Sequence, residues 1–170
     1  MSNMNTTCGV RISSRPTPLG RNSVLTHAPS RPRIVRRSPA LSASLLNAGP
    51  DELRRDLKTY GKVFESLALR DLRVHAQPSG ATVHHYLDST GLEVDFVVDG
   101  GYGRWGAVEV KLGADGGVLD RAAATLKTFA ARVDSQSSGE PRFLAVLTAG
   151  GHAYTRPDGV CVIPLGALRP

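Results

Sequence analysis

Two kinds of hydrophobic periodicity predict an α/β fold, in which a mixed central β-sheet carries flanking helices. Two long stretches, at about residues 50–73 and 119–133, repeat apolar residues every three or four positions, as core-facing helices do. Shorter stretches alternate apolar and polar residues or are continuously apolar, which is typical of strands. With 170 residues, of which 41% are hydrophobic, the chain is long enough for one domain with a real core.

The first predicted helix begins at Pro50, with Asp51 and Glu52 in its first turn, where carboxylates interact favourably with the helix dipole. Glu65 lies on the flank of the apolar stripe and is placed to face the boundary between helix and sheet. An ordinary flank residue is the alternative interpretation of Glu65. The stripe itself consists of Leu53, Leu57, Tyr60, Phe64, Leu67 and Leu72.

The remaining elements are separated by turns rich in glycine and polar residues, such as residues 88–91 and 157–159. The predicted order is one helix, three strands, a second helix, one strand and a terminal β-hairpin. The strands are predicted at residues 81–87, 93–98, 108–112, 143–147, 153–154 and 160–163.

The second and third strands carry the most informative pattern. Residues 93–98 and 108–112 both alternate apolar and polar side chains, and a glycine-rich turn centred near Tyr102 joins them as a hairpin. This register places Asp95 opposite Glu109, and directly opposed side chains have Cβ atoms about 4.5–5.5 Å apart. The apolar face of the first of these strands is predicted to consist of Val94, Phe96 and Val98.

Opposed carboxylates indicate a site for a cation, because like charges at that separation repel each other. Lys111 shares the predicted face of Glu109, and Glu93, opposite Lys111, is a candidate to neutralise that lysine instead. A present or ancestral metal site at Asp95 and Glu109 is one interpretation of the pattern. The other is the solvated face of an antiparallel sheet, on which charged residues alternate with valines.

Several other polar or aromatic residues are not assigned to the site. Asp88 is interpreted as turn chemistry, and Trp105 as an anchor for the exit of the hairpin. His84 and His85 are adjacent on a strand, so they point to opposite faces and cannot chelate one metal ion. Off the apolar stripe of the second helix lie Arg121, Lys127 and Arg132, which are expected on a solvated face, with contact to nucleic acid as the alternative.

Basic residues concentrate at the start of the chain. Residues 1–50 contain seven arginines and no acidic residue, whereas the rest carries 14 basic and 15 acidic residues. We therefore predict a disordered basic arm at residues 1–33 and a folded domain at residues 34–170. The arm has three interpretations: a binder of phosphate backbones, a transit peptide, or a poorly selected leader. We favour the leader, which is either the remnant of a longer protein or the product of a start codon placed too early.

The chain has neither an ordinary secretory signal nor an apolar run of the roughly 18–20 residues that span a bilayer. The cytoplasm is therefore the expected location, and no membrane association is expected. Residues 51–170, with their net charge of −1, are not expected to bind DNA strongly without the arm.

The order of elements, with an acid in the first helix and Glu-x-Lys in the third strand, resembles the PD-(D/E)XK nuclease-like fold, whose core is that of restriction endonucleases. More narrowly, the chain from about Arg33 to Pro170 resembles the domain of unknown function at the C-terminus of many prokaryotic AAA-type ATPases. The stretches that carry this resemblance are residues 61–65, 69–72, 86–88, 91–96, 108–112, 154–160 and 163–165.

The resemblance implies a catalytic set of Asp95, Glu109, Lys111 and Glu65. Asp95 takes the place of the central metal-binding acid, Glu109 of the second ligand, Lys111 of the motif lysine and Glu65 of the helical acid. It further implies Mg²⁺ as cofactor, nucleic acid as substrate and phosphodiester hydrolysis as the reaction. The sequence departs from the nuclease pattern at Val94, where a proline often precedes the acid.

Catalysis is not the only function that this resemblance allows. A non-catalytic regulatory or interaction module, or a truncated fragment of an AAA-type ATPase, are the alternatives, and the oligomeric state is open. The chain contains no Gly-x-x-x-x-Gly-Lys-[Ser/Thr] run, so no ATP site is expected in it. An ATPase module upstream or a separate ATPase is therefore the expected partner.

Overall fold

A six-stranded mixed β-sheet with a helix packed on each face forms the part of the protein that the computed structural model describes, residues 55–168. The predicted basic arm and the predicted helix start at Pro50 lie outside these residues. No helix in the described range is long and apolar enough to cross a membrane.

The elements follow the predicted order, which confirms the α/β class. The helices are α1 (Leu57–Ala76), α2 (Gly116–Arg132) and the short α3 (Ser135–Ser138). The strands are β1 (Thr82–Leu87), β2 (Glu93–Asp99), β3 (Trp105–Lys111), β4 (Phe143–Thr148), β5 (Tyr154–Thr155) and β6 (Cys161–Pro164).

Helix α1 begins at a side-chain cap within the predicted helix. The Asp56 carboxylate accepts hydrogen bonds from the backbone N–H groups of Lys58 and Thr59, both at 3.1 Å. Such a cap satisfies two donors that the first turn leaves unpaired. The prediction of one helix running through Asp56 is therefore wrong, because the apolar spacing of Leu53 and Leu57 concealed the cap.

The sheet joins an antiparallel part to a parallel part, in the order β1-β2-β3-β4-β6-β5. Strands β1, β2 and β3 are antiparallel neighbours, β3, β4 and β6 run parallel, and β5 closes the terminal hairpin against β6. Parallel neighbours need a long crossover connection, which α2 supplies between β3 and β4.

Each helix covers its own aliphatic core. The α1-side core contains Phe64 and Leu72 of the helix together with Phe96 and Val108 of the sheet. The α2-side core contains Leu126 and Phe129 with sheet residues of the opposite face. Alternate residues of β3 therefore point to different cores, as the period of two predicts.

Trp105 anchors the exit of the β2–β3 hairpin, as predicted. Its side chain is buried, and the ring lies at 87° to that of Phe129 with 5.6 Å between centroids. The indole Nε1 donates a hydrogen bond to the Gly139 carbonyl over 2.9 Å. This bond ties the start of β3 to the loop that leads into β4.

Candidate metal centre on β2 and β3

The β2–β3 hairpin has the register that places the two candidate acids opposite each other. Phe96 pairs with Val108 and Asp99 with Trp105, so the turn is centred on Tyr102 as predicted. Tyr102 has a φ of 52°, in the left-handed region, between two glycines that also have positive φ. Continuing the register by one residue brings Asp95 level with Glu109.

A β-bulge interrupts β2 at this point. His84 pairs with Val97, but Tyr86 pairs with Val94, so β2 has one more residue than β1 between these pairs. Val94 consequently belongs to the α2-side core, whereas Phe96 belongs to the α1-side core. The prediction that these two side chains share a face is wrong, because the bulge breaks the alternation there.

The bulge leaves Asp95 free to bond across to β3 with its side chain. Its Oδ2 accepts a hydrogen bond from the Val110 backbone N–H at 2.8 Å. The backbone N–H of Asp95 donates in turn to the Glu109 carboxylate. These two bonds connect the acids through the backbone of the opposite strand and hold both carboxylates in place.

Lys111 is the cation of this cluster. Its Nζ lies 2.6 Å from Glu109 Oε2 and 3.4 Å from Asp95 Oδ2. Exposure increases across the three side chains, from 7% for Glu109 to 18% for Asp95 and 32% for Lys111. The structure therefore brings together three of the four predicted site residues, with Glu109 the deepest.

The electrostatics of the cluster follow from this burial. Removal from water and the nearby Asp95 charge raise the pKa of Glu109 to about 7, although Lys111 acts in the opposite direction. Burial by itself lowers the pKa of Lys111, but the charges of Asp95 and Glu109 outweigh it, and the net shift is upward. Lys111 is thus a firmly charged ammonium beside a carboxyl group that titrates near neutrality.

Glu93 does not neutralise Lys111. Its Oε1 lies 2.8 Å from His85 Nε2, and its position pairs with Leu87 of β1. The charges that neutralise Lys111 come from Asp95 and Glu109. The alternative assigned to Glu93 from the sequence is therefore wrong, because beyond the bulge Glu93 pairs with β1 and bonds to His85.

Glu65 lies on α1, half buried and next to Phe64 of the α1-side core. Residues 55–168 contain no group of three or more His, Cys, Asp or Glu side chains that could hold a metal ion, so Glu65, Asp95 and Glu109 do not form one. The supporting role of Glu65 stays a prediction.

Asp88 has the turn role predicted for it, and an arginine that sequence reasoning missed completes the arrangement. Asp88 Oδ1 accepts from the N–H groups of Thr90 and Leu92, and Arg132 donates to Asp88 Oδ2 at 2.6 Å. The Thr90 hydroxyl is the largest of the influences that lower the Asp88 pKa to about 2. Arg132, expected on a solvated face, thus ties α2 to the β1–β2 turn, a contact 44 residues apart that has no local signal.

We expect Arg132→Met to lower the melting temperature, because it removes the charged donor from a carboxylate whose side chain is only 1% exposed. The Asp88 pKa should rise towards its ordinary value of 3.8. A carboxyl group whose pKa is lowered by folding stabilises the protein above its unfolded pKa, and this stabilisation is lost as the pH falls. The variant should therefore lose less stability than wild type as the pH falls from about 4 towards 2. Thermal melts across this pH range measure both effects. Arg121→Met, on the same helix, is the control and should melt like wild type.

These features define a mixed α/β domain with a cluster of two carboxylates and one lysine on adjacent antiparallel strands. Residues 60–168 match the family described as "Domain of unknown function (DUF4143)", and the chain belongs to that family. Neither a curated protein nor a solved structure matches the chain.

Proposed function

We propose that this domain is a nuclease-like module of the PD-(D/E)XK type that hydrolyses phosphodiester bonds of nucleic acid with Mg²⁺. The observation that carries the proposal is the convergence of Asp95, Glu109 and Lys111, with Glu109 buried beside another acid. A buried carboxylate pair is costly unless a cation compensates it. Perturbed titratable groups of this kind concentrate at functional sites.

The donor chemistry of the cluster fits Mg²⁺. This ion prefers carboxylate oxygens and is commonly held by one or two carboxylates plus water and substrate phosphate. Asp95 and Glu109 would supply these two ligands. When bound, Mg²⁺ would polarise the phosphodiester and lower the pKa of a bound water.

The chain's own residues would position the reacting groups. The hydrogen bond from Val110 N–H fixes the Asp95 carboxylate, and the Asp95 N–H does the same for Glu109. The Lys111 ammonium would stabilise negative charge that develops on the phosphate oxygens. Glu65 on α1 is proposed as the supporting acid.

The first test measures metal binding and cleavage with the full chain. We expect Mn²⁺ or Mg²⁺ to bind wild type in calorimetry, and Asp95→Asn and Glu109→Gln each to weaken binding by about tenfold or more, which corresponds to about 1.4 kcal/mol. The same variants should lose metal-dependent cleavage of DNA or RNA. Asp120→Asn on α2, which removes an exposed carboxylate, should leave both properties unchanged.

Two outcomes would count against this proposal. Folded wild type that binds no divalent ion with or without nucleic acid would remove the metal site. Cleavage that survives in Asp95→Asn would show that the activity arises elsewhere. Circular dichroism of each variant separates loss of binding from loss of fold.

The second candidate function is a non-catalytic regulatory or interaction module. One observation favours it: Lys111 already contacts both carboxylates, so the cluster has a partner without any metal ion. For either function we propose an association with a P-loop ATPase, upstream or separate, and a cytoplasmic location. Co-expression with the ATPase encoded nearest to this gene, followed by isolation of the complex, tests that association.

A further inference from the structure

Lys111 contacts one oxygen of each carboxylate that the proposed metal ion would bind. Its Nζ contacts Glu109 Oε2 at 2.6 Å and Asp95 Oδ2 at 3.4 Å. Mg²⁺ binds carboxylate oxygens at about 2.0–2.1 Å. An ammonium group in this position and a metal ion therefore compete for the same two oxygens, and their like charges repel each other.

We propose that Lys111 is the resting counter-ion of this site and that a divalent cation binds by displacing it. The inference rests on the metal-dependent function proposed above and adds how the site is loaded. The two carboxylates are compensated in both states, first by the ammonium and then by the metal ion. The cost of breaking the ion pairs is subtracted from the affinity for the metal.

The burial gradient permits such an exchange without a change in the sheet. Glu109 is 7% exposed and is held by a backbone donor, whereas Lys111 is 32% exposed. The Lys111 backbone is fixed beside Thr148 in the parallel pairing of β3 and β4. A lysine side chain is a flexible four-carbon stem, so rotation within it carries the ammonium towards solvent.

The exchange predicts that the protein binds metal more tightly without its own ammonium. We expect the full chain with Lys111→Met to bind Mn²⁺ at least about tenfold more tightly than wild type in calorimetry at pH 8. Lys127→Met, an exposed lysine of α2, should bind like wild type. Equal or weaker binding by Lys111→Met, or no binding by either protein, would overturn the exchange.

A measurement on wild type tests the exchange without a substitution that could misfold the protein. It also separates displacement of the ammonium from the gain in metal affinity that removal of any nearby positive charge would give. Acylation of Lys111 by an amine-reactive ester, followed by mass spectrometry, should be slow without metal and several-fold faster with saturating Mg²⁺. Unchanged acylation in the metal-bound protein would show that the ammonium stays in place, and the inference would fail. Lys127 serves as the internal reference.

The nuclease assay separates this inference from the proposed function. Metal-dependent cleavage by wild type, combined with unchanged Lys111 acylation, leaves the function standing and removes the exchange. Tight metal binding by Lys111→Met and faster acylation in wild type, without cleavage by wild type, support the exchange and remove the nuclease.

Discussion

Replacing Gly139 with alanine is expected to destabilise the protein by about 3–4 kcal/mol, through backbone strain and a steric clash together. Gly139 ends α3 with a φ of 71° and a ψ of 171°, a region that glycine alone adopts readily. A Cβ at this position would also lie 2.8 Å from the Gly103 carbonyl oxygen. Because that atom belongs to the backbone, it cannot rotate away as a side chain would.

The consequence should reach the β2–β3 hairpin, because the Gly139 carbonyl accepts the bond from Trp105. Chemical denaturation measures the loss, and two glycines provide controls. Gly91→Ala has a positive φ of 85° with no atom within 4 Å, so it should show only the smaller cost of backbone strain. Gly150→Ala has neither constraint and should be nearly neutral. If Gly139→Ala were as stable as Gly150→Ala, that result would contradict the close approach of Gly139 to Gly103 at the turn of the β2–β3 hairpin.

The convergence of the site residues could be predicted because it depends on two local signals. Alternation of side chains fixes which residues of a strand share a face, and a hairpin turn fixes the register between two strands. The glycine-rich turn around Tyr102 therefore sufficed to place Asp95 opposite Glu109. The two long helices and the order of the strands were predictable from periodicity for the same local reason.

The features that could not be predicted depend on contacts between segments that are distant in sequence. The extra residue in β2 is defined only relative to β1, and the run from Val94 to Val98 carries no glycine or proline to mark a bulge. That bulge decides the faces of Val94 and Glu93, and both were predicted wrongly. The pairing of Arg132 with Asp88 and the approach of Gly139 to Gly103 join distant segments, so they have no sequence signal.

Replacing Lys111 with methionine is expected to destabilise the metal-free protein strongly at pH 8 and much less at pH 5. Breaking a buried ion pair by removing one partner costs about 3–5 kcal/mol, because the remaining charge is uncompensated. Lys111 is partly exposed, so we expect a loss of stability towards the lower end of this range. Lys111 lowers the pKa of Glu109, so its removal should raise that pKa above about 7. At pH 5 Glu109 is then protonated and carries no charge that Lys111 would have to compensate.

The sign of the wild-type pH dependence follows from the same group. The pKa of Glu109 is raised from 4.5 to about 7 on folding. The unfolded chain therefore releases this proton at lower pH than the folded protein, and Glu109 makes stability fall as the pH rises from about 4.5 to 7. The difference is on the order of 3 kcal/mol. Glu109→Gln removes this contribution, so its stability relative to wild type should improve between pH 5 and pH 8.

The double variant separates the charge effect from packing. If the cost of Lys111→Met at pH 8 comes from two uncompensated carboxylates, Lys111→Met combined with Glu109→Gln should recover most of it, because one charge is gone. If the cost comes from lost contacts of the lysine stem, the double variant should be as unstable as the single one at every pH. Urea denaturation of the four proteins at pH 5 and pH 8 gives the coupling free energy directly. A coupling that is large at pH 8 and small at pH 5 is the result that a buried carboxylate pair held by one ammonium requires.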